Sequence, residues 1–304
     1  MTFSNLLPRR KKGSAIRQTT EDKIIDLVSL VVSICVLITC LYPLYYVLIL
    51  SFNSGIDAQR GGIYLWPRDF TLENYAKVLS DPAWLNALFI SVARTVIGTT
   101  VSVLFTSLFG YALSREDLRF KKFYRIWLLV AMYFSGGMIP TYMVFKALHL
   151  TNNFAVYIVP AALDYFYVLL FISYFRGLPR ELRESAIVDG AGEGVVFFRI
   201  IWGVSKPILI SFTLFSAVNQ WNSYFDAVLY VQDPNLKPLA KFLVEIINSS
   251  ATSQFASPYV RTSHFTTQSL QLAAMIIAML PIVAVYPFVQ KYFEKGMMLG
   301  AVKG

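Results

Sequence analysis

The sequence predicts an all-α polytopic membrane protein with six transmembrane helices and cytoplasmic N and C termini. Three observations carry this. Of 304 residues, 56% are hydrophobic and only 15% charged, a balance too apolar for an ordinary soluble domain. Several apolar runs reach the roughly 20 residues that about 30 Å of hydrocarbon requires at 1.5 Å per residue. The basic residues are distributed unequally between alternate loops.

The elements follow in order. Residues 1–24 form a basic tail that precedes the transmembrane unit, residues 25–304. The stretch SNLLPRRKKGSAIRQTTEDK resembles the basic region of a signal peptide. The apolar run after it is too long, and lacks a small-residue cleavage site, so it reads as retained. Spans are expected at about 25–51, 86–113, 126–148, 155–176, 207–231 and 269–290. From Ile25 to Leu50 no charge follows Asp26, and Leu270 to Val289 has none. A charge at mid-bilayer costs roughly 2.5 to 3.5 kcal/mol, so both runs suit lipid. The third and fourth spans are interrupted by Gly136, Gly137, Pro140, Pro160 and Asp164 and read as a membrane hairpin. Cys35 and Cys40 lie within the first span, where unpaired thiols are expected.

A net charge of +9 raises the question of nucleic acid, which its distribution answers. With the N terminus inside, nineteen of the basic residues are cytoplasmic: Arg9, Arg10, Lys11, Lys12, Arg17 and Lys23; Arg115, Arg119, Lys121, Lys122 and Arg125; Arg176, Arg180, Arg183, Arg199 and Lys206; Lys291, Lys295 and Lys303. Six fall outside: Arg60, Arg68, Lys77, Lys237, Lys241 and Arg261. Arg94 and Lys146 lie in or at the end of spans, Arg94 suited to a salt bridge or to snorkelling. The asymmetry fixes the orientation, and no basic patch of the nucleic-acid kind remains.

In the external loop of about 52–85, Tyr64, Trp66 and Tyr75 suit a membrane interface, and Asn74 to Leu79 reads as a short helix. In the loop of about 232–268, Leu239, Phe242, Leu243, Ile246 and Ile247 follow Pro238 at helical spacing, before a polar, irregular remainder. The longest internal segment, 177–206, differs from both. Pro179 is placed as a first-turn proline, Glu181 and Glu184 lie near the positive end of the helix dipole, and Gly190 terminates the helix. After Gly192 the pattern resumes with Val195, Phe198 and Trp202 on one face, as far as Pro207. Two short helices joined by an elbow need something to pack on, because short helices are marginal alone. The surface is either the chain's own inner ends or a partner.

At these residues the chain resembles a known family. ELRESAIVDGAGEGVVFFRIIWGVSKP is similar to the EAA motif of the membrane-spanning subunits of bacterial binding-protein-dependent ABC importers. Glu184, Ala186, Asp189, Gly190, Ala191, Phe198, Ile201 and Pro207 fall on that pattern, with Ser185 in place of the middle alanine and Gly203 where many relatives carry proline. The segments ENYAKVL, YALSR, IPTYMV, YFRGLPREL, QWNSYFDAVLYV, KPLAKFLVE and QKYFEKGMMLGAVKG resemble the carbohydrate, maltose-type branch over nearly the whole chain. The resemblance implies a bacterial plasma-membrane permease with a second permease, two cytosolic ATPase subunits and an extracytoplasmic solute-binding protein. It also implies that the elbow seats in the ATPase: Glu184 faces basic residues, Gly190 permits the turn, Ser185, Ala186, Asp189 and Ala191 complete the motif, and Phe198 and Ile201 are apolar anchors. Oligosaccharide import by alternating access follows, with a non-sugar ABC importer or an ion-driven secondary transporter as alternatives.

The residues exclude other chemistry. No G-x-x-x-x-G-K-[ST] occurs, so ATP and its magnesium belong to a partner and the chain itself binds no cofactor. His149 and His264 stand far apart without a Cys or carboxylate cluster, so no metal site is expected. The acidic residues are too scattered for paired-carboxylate or triad catalysis. Polar residues in spans are the substrate-pathway candidates: Tyr133, Ser135 and Asp164, then Asn219, Gln220, Trp221, Asn222, Ser223, Tyr224 and Asp226. Amides, carboxylates and rings suit sugars, and the competing role is interhelical bonding.

Overall fold

The computed structural model describes residues 20–253 and 266–301. The basic tail before Thr20, Arg261, His264 and Lys303 lie outside the described residues. The first helix, α1 (Thr20–Ser51), is apolar all round and buries only Ile49, Leu50 and Ser51. Its cysteines are free and exposed, on a surface suited to lipid or to another subunit.

The loop after α1 folds back onto the C-terminal end of that helix, carrying the short helices α2 (Gly55–Gln59) and α3 (Glu73–Leu79). Buried Asn74 donates to the carbonyls of Ser51 and Asn53, each at 3.0 Å, and the Asn53 side chain accepts from the backbone of Arg68 and Asp69. Tyr64 and Trp66 are exposed, as an interfacial role requires. Tyr75 instead bonds Ser51 at 2.6 Å and leans on Phe52, because the fold-back carries α3 onto the end of α1.

The second span, α4 (Pro82–Ser114), is capped by the Asp81 side chain with Pro82 in its first turn. Gly98, Ser102, Thr106, Gly110 and Ser114 recur every fourth residue and are all buried. Such a stripe lets helices approach where lipid provides no hydrophobic drive. The partners are α7 (Tyr165–Arg176) and α11 (Lys206–Asn222). At Gly110 a Cβ would sit 2.5 Å from that of Phe171, so only glycine fits.

Three expected spans are not continuous helices. Residues 126–148 divide into α5 (Lys121–Tyr133) and α6 (Met138–Ala147), which meet at 114° across the Gly136–Gly137 break. Residues 155–176 are helical only from Tyr165, after a 3-10 turn (Phe154–Tyr157) and an irregular stretch. The twelve residues of α7 cover roughly 18 Å, too few for the hydrocarbon. The fifth span stops at Asn222 and resumes as α12 (Phe225–Tyr230). Three helices are long and apolar enough to cross alone, Thr20–Ser51, Pro82–Ser114 and Thr267–Pro287, or up to five counting each bent pair as one span. The last belongs to α14 (Thr267–Ala301), and α13 (Leu239–Ser253) precedes it.

Candidate functional site

The broken elements surround one cavity of about 850 Å³. Irregular backbone at membrane depth survives where it is buried or lines a cavity, and this one does: Val156, Tyr157, Pro160, Ala161, Leu163 and Asp164 form one wall. Asn219, Gln220, Ser223 and Asp226 supply polar groups from the break in the fifth span, and Tyr167, Phe212, Phe215, Phe225 and Tyr230 supply rings. Asp164 caps α7 by accepting from the Tyr167 amide at 3.0 Å.

Of the candidates read from sequence, Ser135, Asp164, Asn219, Gln220, Ser223 and Asp226 line this space. The others point elsewhere. Trp221 donates its indole to the Ala278 carbonyl at 3.1 Å and ties α11 to α14. Asn222 bonds back to Val218, and Tyr133 and Tyr224 are exposed outside the cavity lining. On α11 the cavity face is Phe212, Phe215, Ser216, Asn219 and Gln220, at the i, i+3, i+4, i+7, i+8 spacing of one helix face, and Trp221 and Asn222 turn off it. Sequence reasoning gave no function to Arg94, which the structure places in the cavity wall at 1% exposure.

Between α7 and α11, α8 (Glu181–Val188) runs into Gly190, whose φ of +85° is the left-handed turn expected there. The amides of Gly190 and Ala191 return to the carbonyls of Ile187 and Ala186, each at 2.9 Å. Pro179 stands just before the helix cap instead of in the first turn. The second arm comprises α9 (Glu193–Val195), a π turn (Val196–Ile201) and α10 (Trp202–Val204), and it meets α11 at 86°. The π turn changes the period, so the buried face is Val196, Phe197 and Ile201 instead of Val195, Phe198 and Trp202.

That face joins Ala186 in a core with Tyr111, Phe171, Phe175 and Phe212. Each fully buried apolar side chain on this aqueous side contributes roughly 1.5 to 3 kcal/mol. Ala186 and Ile201 therefore pack within the chain, and Ala191 packs at the edge of the same core. Glu184, Ser185, Ile187, Val188, Asp189 and Phe198 face outward, Val188 at 86% exposure. Phe198 rests against Phe197 and Trp202.

An ion cluster fastens the second arm to the C-terminal end of α4. Glu193 pairs with Arg115 and Arg183 and accepts from the Tyr111 hydroxyl at 3.1 Å, while Asp117 pairs with Arg115 and lies 3.8 Å from Arg183. Hydrogen bonding to Arg115 holds the Asp117 carboxyl down at about 2. Burial pushes the Glu193 carboxyl up, and hydrogen bonds from Arg183, Arg115 and Tyr111 outweigh it, leaving the group below its ordinary value. No spacing in the sequence announces this cluster, because its members come from four separate elements.

The relatives align with most of this chain. Over 262 residues it is 38% identical to Protein LplC of Bacillus subtilis (strain 168), covering 86% of this chain and 89% of that one. The polygalacturonan/rhamnogalacturonan transport system permease protein YtcP of the same organism is 36% identical over 266 residues, covering 87% and 93%. The chain belongs to the permease subunits of carbohydrate ABC importers. No family model matches it. A chain of a bacterial ABC transporter involved in the import of the acidic polysaccharide alginate superposes on this permease with a TM-score of 0.84 at 26% identity, covering 91% of this chain and 99% of that one. A chain from the bacterial alginate ABC transporter in complex with alginate pentasaccharide-bound periplasmic protein, at TM-score 0.58 and 12% identity, shares the fold alone. Members of this family are transport subunits, so the permease is not itself an enzyme.

Proposed function

We propose that this permease carries an oligosaccharide across the bacterial plasma membrane through the cavity among its second, third, fourth and fifth spans, driven by ATP hydrolysis on separate subunits. Six crossings with both termini in the cytoplasm accommodate the elements when α5 with α6 forms the third, residues 154–176 the fourth, and α11 with α12 the fifth. A second, similar permease, two cytosolic ATPase subunits and an extracytoplasmic solute-binding protein complete the assembly. The chain binds no cofactor of its own.

The observation that carries the cargo reading is the cavity, whose volume of about 850 Å³ lies within the range of small-molecule sites. Rings and uncharged polar groups dominate its wall, the combination that holds sugars by stacking and hydroxyl hydrogen bonds. Among the described lining residues the single cation is Arg94, which is engaged by Asp226 and Gln220. The names of YtcP and of the alginate transporter point to acidic polymers. On this chain the wall favours recognition by hydroxyl groups, so any uronate charge is met by the second permease.

The outward face of the elbow is the coupling surface. Among the described residues Glu184 is in no salt bridge, and Val188, one turn further along α8, and Phe198 on the second arm offer exposed apolar groups. Such a face in water stabilises nothing until covered. ATP-driven uptake of labelled neutral oligosaccharides and of a polygalacturonan digest, measured in proteoliposomes holding the whole complex, tests the cargo. Uptake of either class upholds sugar import. Uptake of amino acids alone, or uptake persisting without the ATPase subunits, contradicts it.

A further inference from the structure

Arg94 lies on α4 with 1% of its side chain exposed, in the part of the molecule where a charge is most costly to keep. Its partners sit on both sides of the break in the fifth span. On the α11 side, Nε and one terminal nitrogen donate to the Gln220 side-chain oxygen at 3.3 and 3.2 Å. Within the break, the other terminal nitrogen donates to the Ser223 carbonyl at 3.0 Å. On the α12 side, the two terminal nitrogens donate to the Asp226 carboxylate at 3.3 and 2.5 Å. The guanidinium also stands 4.3 Å over the centre of the Tyr157 ring, on the irregular wall of the cavity.

These partners are themselves fixed. The Gln220 amide donates to the Tyr157 carbonyl at 3.1 Å, and a Cβ at Gly98 would come within 2.5 Å of it, so the side chain has little room to swing. At the far end of α12, Lys241 of α13 donates to the carbonyls of Ala227 and Val231 at 2.9 and 2.6 Å. A six-residue helix that cannot hold its own direction is thus held at both ends by buried cations from other elements. Four of its residues, Phe225, Asp226, Leu229 and Tyr230, line the cavity.

We infer that Arg94 is a positioning residue for transport: it sets the angle between α11 and α12, and so the outer wall of the cavity, without binding cargo. The fork geometry of a guanidinium suits this, because it bonds a carboxylate, an amide and a carbonyl in fixed directions. With its donors occupied, it is not a site for an acidic sugar. The outer wall then moves only when α4 moves. The inference rests on the import reading above for its purpose, but not for its geometry.

The test uses the complete complex in nanodiscs, with spin labels at exposed Lys206 and Val228 on the two sides of the break. Arg94→Met is expected to shift or broaden the distance distribution, and Arg94→Lys to restore it in part. Because Arg94→Met alone leaves Asp226 unpaired and can prevent folding, Arg94→Met/Asp226→Asn, which leaves no uncompensated charge, repeats the measurement. A distribution in the double variant identical to wild type overturns the inference, as would loss of polygalacturonan-digest uptake in Arg94→Lys with unchanged distances, which would make Arg94 a cargo contact. Failure of uptake in the unaltered complex, with the distances responding as expected, would remove the import reading and leave the positioning role.

Discussion

The Tyr111 hydroxyl lies 3.1 Å from the Glu193 carboxylate, joining the C-terminal end of α4 to the second arm of the elbow. The chain order connects the elbow to the fourth and fifth spans only, so this bond adds a route the connectivity lacks. Tyr111 also packs edge-on against Phe175 and tilted against Phe197. These contacts connect the elbow to α4, the helix that carries Arg94 at the cavity.

Tyr111→Phe removes one hydrogen bond to a charged group, a loss of roughly 1.5 to 3 kcal/mol where buried. The expected result is faster amide exchange over residues 190–204 and slower ATP-driven uptake, with the complex still assembled. Glu193→Gln should weaken both further, since it also gives up the charge attraction of Arg115 and Arg183. Unchanged exchange in both variants would show that the bond carries no load.

The pH dependence has a definite sign. Asp117 and Glu193 titrate lower in the folded chain than when unfolded, so their contribution is present above the unfolded carboxylate range and is lost as pH falls through the folded values. Amide exchange of the elbow, corrected for its intrinsic pH dependence, should therefore be flat from pH 8 to pH 5. A protection step inside that window would assign the titration to other groups.

Gly190→Ala forces an L residue into φ +85°, at a cost of about 1 to 2 kcal/mol. The elbow should deform, and less ATPase subunit should co-purify with the permease. Gly190→Asn, which tolerates that conformation better, should retain more.

Gly110→Ala places a methyl group 2.5 Å from the Phe171 Cβ, and overpacking of this kind typically costs 1 to 3 kcal/mol. The unfolding temperature of the purified complex should fall. Gly203→Ala is the comparison, since nothing lies within 4 Å of a Cβ there and little change is expected.

The sequence made some of this legible and hid the rest for physical reasons. Apolar length announces α1 and α14, and the left-handed stop at Gly190 follows from its place after a charged helical run. Where glycine and proline interrupt residues 126–176, hydropathy shows membrane depth but not path, so the 114° break and the short α7 were not evident. The inward turn of Val196 and Ile201 escaped because a π turn has no composition of its own. Four of the seven candidates at 219–226 line the cavity, and the choice among those residues needs the backbone. Arg94 was visible as a lone charge, but Asp226, its partner, is 132 positions away.

The central claim is that the outward face of the elbow is where a separate ATPase grips this permease. A photocrosslinking residue at Val188, 86% exposed beside Glu184, measures it most directly in the assembled complex. The account expects a crosslink to the ATPase subunit that Glu184→Arg abolishes while membrane insertion is unchanged. Crosslinks confined to lipid or to the permease pair, with ATP-driven uptake intact in Glu184→Arg, would contradict it.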